Sequence, residues 1–257
     1  MSLVYPGQQA SEPSLKDISL DIAEGEFVAV VGPSGGGKSS TIALLAGLVA
    51  PTSGEIFLNG RPVTGPGPDR AVVFQDYSLF PWMTAVDNIS FALKQVGTAS
   101  KDQAKKLLDI VGLSDAGAKY PGELSGGMRQ RVAIARAFAL GAPIYLLDEP
   151  FGAVDAKNRI YLQDLLLRLW QEAGNKKTVF LVTHDIDEAL YLADRIVVFT
   201  PSPGRIRQIL PVPFQRPRRR SQLINNKEYL QLRSDILSLL QAELIEELDN
   251  LERGEGI

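Results

Sequence analysis

The chain has 257 residues, 45% hydrophobic and 22% charged, which are the proportions of a globular protein with room for one large domain or a domain with subdomains. A formal charge of -3 creates no overall field to attract nucleic acid or an acidic membrane, and the absence of cysteine excludes disulfides, thiol catalysis and cysteine-based metal sites. No basic-then-apolar secretory signal opens the chain and no apolar run approaches the roughly 18–20 residues that span a bilayer, so a cytoplasmic, soluble chain is expected unless a partner tethers it.

In chain order, Tyr5 on its own reads as a packing residue. Ile18, Leu20 and Ile22 alternate with Ser19 and Asp21, and the turn Glu24-Gly25-Glu26 leads into Phe27–Val31, a run that reads as a buried strand. The nonapeptide Gly32-Pro33-Ser34-Gly35-Gly36-Gly37-Lys38-Ser39-Ser40 follows, and residues 41–48 have a helical pattern. Strand, glycine-rich turn and helix start in this order match a phosphate-binding loop in residues and in context. Glycines let consecutive backbone N–H groups curl around an anion, and the helix N-terminus adds further donors. Lys38 can reach the β- and γ-phosphates, and the Ser39 hydroxyl can ligate Mg²⁺. A chance glycine-rich turn with a lysine would leave the flanking strand and helix unexplained.

Beyond the loop, Ile42, Leu45, Ala46 and Val49 keep helical spacing until Pro51, Ser53 and Gly54 end it. Residues 55–58 with Asn59-Gly60 predict a hairpin, and residues 71–74 a short buried strand ending at Gln75. Residues 77–140 look helical, with breaks at Pro81, Gly97, Gly112 and Pro121. Ala104, Leu107, Leu108 and Val111 form an apolar stripe opposite lysines. Leu124-Ser125-Gly126-Gly127-Met128-Arg129-Gln130-Arg131 opens another helix with Ser125 as its N-cap. Residues 144–147 read as a strand ending at Asp148-Glu149-Pro150, followed by a helix over 160–171, a strand over 179–183 ending at His184, a helix over 187–193 and a strand over 196–200. Such alternation predicts a mainly parallel sheet covered on both faces. From about residue 215 the character changes. Arg216 and Arg218, Arg219 and Arg220 form a basic cluster, expected to make surface contacts. A helical tail follows, with Leu232, Ile236, Leu239, Leu240, Leu244, Leu248 and Leu251 on one side and Glu246, Glu247, Asp249 and Glu252 at its end.

A phosphate loop needs a metal carboxylate and a group that activates water. Asp148 suits the metal role, Glu149 the general base. His184, the single histidine, is by type more often structural. Its place after an apolar strand, where ligands of such sheets bind, favours a γ-phosphate contact. Gln75 also ends a strand and could orient water or Mg²⁺. The helix start at Ser125, Gly126 and Gly127 is a second anion-binding terminus in a chain with one phosphate loop. The economical reading is that it serves the γ-phosphate of a second subunit in a head-to-tail dimer, against an ordinary glycine-containing cap.

With GPSGGGKSS, Gln75, LSGGMRQR, LLDEP and His184 in this order, the chain resembles the ATP-binding cassette family over residues 1 to about 210. The resemblance implies an α/β fold: a P-loop NTPase (RecA-like) core with a mainly parallel sheet, an N-terminal antiparallel β subdomain and an inserted α-helical subdomain. It implies a nucleotide-binding domain over 1–215, its helical subdomain at about 84–140, and a helical tail over 216–257. Tyr5 would stack on adenine, Asp155 would contact the opposite site, ATP would close the dimer and hydrolysis would reopen it. Val154 stands where the family usually has leucine. The stretches GPGPDRAVVFQDYSLFPWMTAVDNI, THDIDEALYLADRIVVFTPSPGRI and LPVPF further resemble the ATPase subunits of bacterial nitrate, sulfonate, taurine and bicarbonate importers. That implies permease subunits in the membrane docking near Phe80-Pro81-Trp82, a second ATPase subunit identical or related, and an indirect link to a periplasmic or lipid-anchored solute-binding protein. It also implies a peripheral place on the cytoplasmic face of the inner membrane and no nucleic acid. The alternative is a soluble cassette ATPase acting on nucleic acid or ribosomes. That reading calls for two cassettes in one chain, a coiled-coil insertion or a basic surface, and the sequence has none of them.

Overall fold

Phe27–Val31 forms β1, and all five of its residues are buried, as its unbroken apolar character demands. The computed structural model describes residues 1–7, 13–98, 100–152, 154–172 and 177–252, with the backbone alone at 172 and 243–252. The chain divides into two units, Met1–Pro66 with Phe180–Ile257, and Gly67–Val179. A six-stranded sheet has the order β4 (Arg70–Val73), β5 (Ile144–Asp148), β6 (Thr178–Val182), β1, β7 (Arg195–Phe199), β8 (Ile206–Pro211), and β2 (Phe57–Leu58) and β3 (Arg61–Pro62) make a separate antiparallel pair.

In the first unit, β1 leads through the phosphate loop into α1 (Lys38–Leu45), and β2 (Phe57–Leu58) and β3 (Arg61–Pro62) form the hairpin expected at Asn59-Gly60. Ile18 is buried and Leu20 and Ile22 half-buried between exposed neighbours, so the alternation there is real, but residues 18–24 join no ladder. After β6 (Thr178–Val182) come α6 (Ile186–Leu192) and β7 (Arg195–Phe199), which pairs parallel with β1. β8 (Ile206–Pro211) then returns antiparallel to β7. Its residues are exposed or half-buried, as befits a sheet edge, so it lacks the apolar run by which the other strands were predicted.

α7 (Arg220–Leu223) and α8 (Lys227–Glu252) complete this unit, and α8 packs on α6 and β7. Ile236 is fully buried there, with Leu232, Leu239 and Leu240 half-buried; the expected contacts of Leu244, Leu248 and Leu251 and the acidic end lie outside the described side chains. Within the arginine cluster Arg219 is exposed, as expected of a surface role, and Arg216 and Arg220 are half-buried, but Arg218 departs from it. Arg218 is only 7% exposed. The backbone carbonyls at the end of α6 offer it a concentration of acceptors that outweighs the preference of a guanidinium for water.

In the second unit, β4 (Arg70–Val73) pairs parallel with β5 (Ile144–Asp148), with Val73 beside Leu147. Three capped helices fill the segment between them: α2 (Ala85–Gln95) on Thr84, α3 (Lys101–Ile110) on Ser100 and α4 (Gly126–Ala139) on Ser125. Helix begins at residue 85, not 77. Tyr77 and Ser78 have φ of 67° and 45°, a left-handed conformation no helix accommodates, and Arg136 of α4 donates to both their carbonyls. α5 (Ala156–Glu172) follows β5.

Candidate nucleotide site

The first unit carries the phosphate loop. Gly37, with φ 77°, is the N-cap of α1 and brings no side-chain oxygen to the helix donors, so the first turn keeps its anion-binding character. The backbone passes here within contact distance of its neighbours: a Cβ on Gly37 would meet the Ser14 carbonyl at 2.8 Å and also the Leu15 side chain, and one on Gly36 would lie 2.7 Å from the Thr200 carbonyl. Lys38 is buried, and its Nζ donates to the carbonyls of Gly32 (2.9 Å) and Pro33 (2.7 Å). The ammonium is thereby held inside the curve of its own loop. Thr41 secures the turn through bonds from its N–H (2.9 Å) and hydroxyl (3.1 Å) to the Gly37 carbonyl.

Tyr5 donates its hydroxyl to Ser40 Oγ at 3.2 Å, which sets the ring against the first turn of α1. His184 is exposed just past β6. Before it, the Thr183 N–H bonds to the Val30 carbonyl (3.1 Å), fixing this chain end beside the strand that feeds the phosphate loop. Behind it, the Asp185 N–H donates to Thr183 Oγ1 (3.0 Å) and Asp185 caps α6. The loop, Tyr5 and His184 are therefore residues of one unit.

The second unit carries Gln75, Ser125, Gly126, Gly127, Asp148, Glu149 and Asp155. Because β4 and β5 are parallel with Val73 opposite Leu147, Gln75 and Glu149, each two residues further on, leave the sheet at the same edge. Asp148 is buried at the end of β5, and Glu149 is half-buried with φ 43°. A non-glycine residue in that region carries strain of order 1–3 kcal/mol, which tends to mark functional positions. The Gly152 N–H holds the turn through the Glu149 carbonyl (3.2 Å).

Ser125 is exposed, and its Oγ accepts from the Met128 N–H (3.3 Å), the expected cap. A Cβ on Gly127 would be in ordinary contact, 3.5 Å from Val154 Cγ1. Asp155 accepts from the Asn158 N–H (3.1 Å) and side-chain amide (2.6 Å), and these bonds, the side-chain one foremost, hold its carboxyl below the usual range. Arg131 in turn donates to Asn158 Oδ1 (2.6 Å) and lies over the Tyr161 ring. Sequence reasoning assigned no role to Asn158 or Arg131. The capping spacing from Asp155 to Asn158 was the available signal.

Among the described residues no three His, Asp or Glu side chains gather to hold a metal ion. The oxygen donors Ser39, Gln75 and Asp148 have the hardness Mg²⁺ requires, and Mg²⁺ commonly takes only one or two protein ligands beside phosphate oxygens. Their chemistry fits that ion.

These features place the chain among the P-loop nucleoside triphosphatases. It belongs to the ABC transporter family, whose model matches residues 15–152, over half the chain, and it is a nucleotide-binding, ATP-hydrolysing cassette. It is 50% identical over 236 residues to the nitrate import ATP-binding protein NrtC of Synechococcus elongatus, covering 90% of this chain and 36% of that protein. The chain therefore spans about a third of that relative's length. It is 45% identical over 245 residues to the taurine import ATP-binding protein TauB of Chromobacterium violaceum, covering 93% of this chain and 92% of that one. A solved dimer of the ATP-binding cassette MJ0796 in a post-hydrolysis state, bound to ADP and Pi, has a TM-score of 0.72 at 32% identity over 83% of this chain and 97% of that one.

Proposed function

We propose that this chain is the ATPase subunit of an importer for a small anion such as nitrate, a sulfonate, taurine or bicarbonate. Identity of 45–50% extending over nine-tenths of the chain to nitrate and taurine import subunits carries the reading. Two ATPase subunits, identical or related, work head to tail beneath permease subunits, with a solute-binding protein delivering the anion on the far side. The chain lies peripherally on the cytoplasmic face of the inner membrane; no described helix is long and apolar enough to cross one. Residues 1–215 act as the nucleotide-binding domain, those at about 84–140 as its helical part, and 216–257 as a tail.

ATP phosphates lie on the backbone of residues 32–40 with Lys38 as counter-charge, and Tyr5 stacks on adenine. Ser39, Asp148 and Gln75 hold Mg²⁺, which supplies charge neutralisation on the phosphates when bound. Glu149 accepts the proton of the attacking water, and the strained backbone at that residue supports its selection for aim over comfort. His184 contacts the γ-phosphate. Ser125, Gly126, Gly127 and Asp155 serve the nucleotide of the second subunit, which accounts for a serine cap left exposed at a glycine helix start. Trp82, 70% exposed beside Phe80 at a ring distance of 5.5 Å, receives a helix of the permease.

Mass spectrometry of proteins co-purifying with the chain from gently solubilised source membranes tests this. A multi-span permease and a solute-binding protein are the expected companions, and the ligand of the latter identifies the cargo. Ribosomal or DNA-associated proteins recovered from the soluble fraction alone would sink the transport reading and leave the ATPase chemistry standing.

A further inference from the structure

The tail and its arginine cluster take no part in the chemistry above, yet they grip one short helix at both ends. α6 has seven residues and begins directly after His184 and Asp185. So short a helix has almost no stability of its own, so the packing of its buried side chains on β1 and the groups that hold its ends jointly set its position. In its first turn, Asp187 Oδ1 accepts from the Tyr229 hydroxyl and from Arg233 Nε, both at 2.8 Å and both on α8. Tyr229 is 8% exposed, so this hydroxyl has little water to turn to. At the other end Arg218 Nη1 donates to the carbonyls of Leu190 (3.1 Å), Tyr191 (3.0 Å) and Ala193 (2.6 Å). Arg216 donates to the Leu192 carbonyl and, at 2.8 Å, to Asp194, and the Arg220 guanidinium lies 3.6 Å from the Tyr191 ring centre. Asp185, the cap of α6, accepts from the Glu188 N–H (3.0 Å). His184 thus lies between Thr183, bonded to β1, and the residue that caps α6.

We propose that Tyr229 and Arg233 are positioning residues for His184: the tail clamps α6 and, through the Asp185 cap, sets where the imidazole stands at the sheet edge. The proposal rests on the reading of His184 as the γ-phosphate contact.

Tyr229→Phe removes one hydroxyl and Arg233→Met the second donor. Combined in the full chain they are expected to lower kcat about tenfold, since a 1 Å misplacement of a contact group can cost ~10²-fold. KM for ATP should stay within about twofold, because interactions confined to the transition state act on kcat. In a His184→Ala background, followed by single turnover, the same changes should cost nothing further. Equal fold losses in both backgrounds would overturn the proposal, because a merely structural role acts whether or not the imidazole is present. Unchanged kcat in the tail variant beside a slowed His184→Ala would also overturn it. Undiminished turnover in His184→Ala alone would remove the reading of His184 itself, a failure distinct from that of the clamp. Should the double variant not fold, Tyr229→Phe alone, one atom smaller, decides the same comparison with a smaller expected loss.

Discussion

Replacing Arg218 by lysine asks how much of the first unit depends on a buried fork. Burial, together with the charge of Arg216, pulls the guanidinium down to about 10, so it is still protonated at neutral pH. Arg218→Lys keeps a cation and removes the geometry. The bond from Nε to the Phe214 carbonyl (3.0 Å) goes outright, because lysine has carbon at that point. At least one of the three carbonyls reached by Nη1 also loses its donor, since the lysine nitrogen stands where the guanidinium carbon was, one bond short of Nη1. Hydrogen bonds to charged groups contribute ~1.5–3 kcal/mol each, so two losses amount to about 3 kcal/mol or more. For a chain of this size 1 kcal/mol shifts Tm by about 2–4 °C, which gives a fall of roughly 6–12 °C. Thermal unfolding followed by circular dichroism at neutral pH reads it directly. The exposed neighbour provides the control: Arg219→Lys should stay within about 0.5 kcal/mol of the parent. If Arg218→Lys melts within about 2 °C of the parent, the carbonyls at the end of α6 are satisfied by other means and the clamp is not built as described.

Two further outcomes are expected at the nucleotide site. Glu149→Gln should bind ATP normally and turn over ~10²–10⁴ more slowly, the usual range for loss of a general base; turnover like the parent's would take Glu149 out of that role. Gly37→Ala must hold an L residue at φ 77°, at a cost of ~1–2 kcal/mol, and push against the Ser14 carbonyl and Leu15, where overpacking adds ~1–3 kcal/mol. Nucleotide titration should show affinity lowered by more than about tenfold, and an unchanged dissociation constant would mean the loop accepts phosphate in another shape.

The elements that carry the candidate residues were legible because their signals are local. β1 is five apolar residues with nothing polar to expose, the loop follows at once, and Ser125 caps α4 through a bond three residues away. Elements decided at long range were not. Pro81 marks a break in the helical pattern but does not tell that Tyr77 and Ser78 turn left-handed; their carbonyls are claimed by Arg136, some sixty residues on, whose ring partner Phe80 lies in the same turn. An arginine such as Arg218 reads as solvated in any sequence. Its burial is set by the end of α6, whose last carbonyls no residue near Arg218 announces.

The acidic pair shows the boundary most clearly. Two consecutive carboxylates after an apolar strand suggest a division of labour, but the letters do not say how adjacent side chains come to differ. Asp148 is the last residue of β5 and shares the burial of the strand before it. Glu149 is the first residue past the ladder, and its left-handed φ of 43° breaks the alternation that would have continued from Asp148. The Gly152 N–H on its carbonyl, and Pro150 directly after it, leave the backbone little room to relax. On the roles proposed above, a carboxylate that holds a metal gains from a fixed place at the end of the sheet, and one that takes a proton from water gains from a position just past it. The end of a buried strand followed at once by a strained turn provides both within two residues.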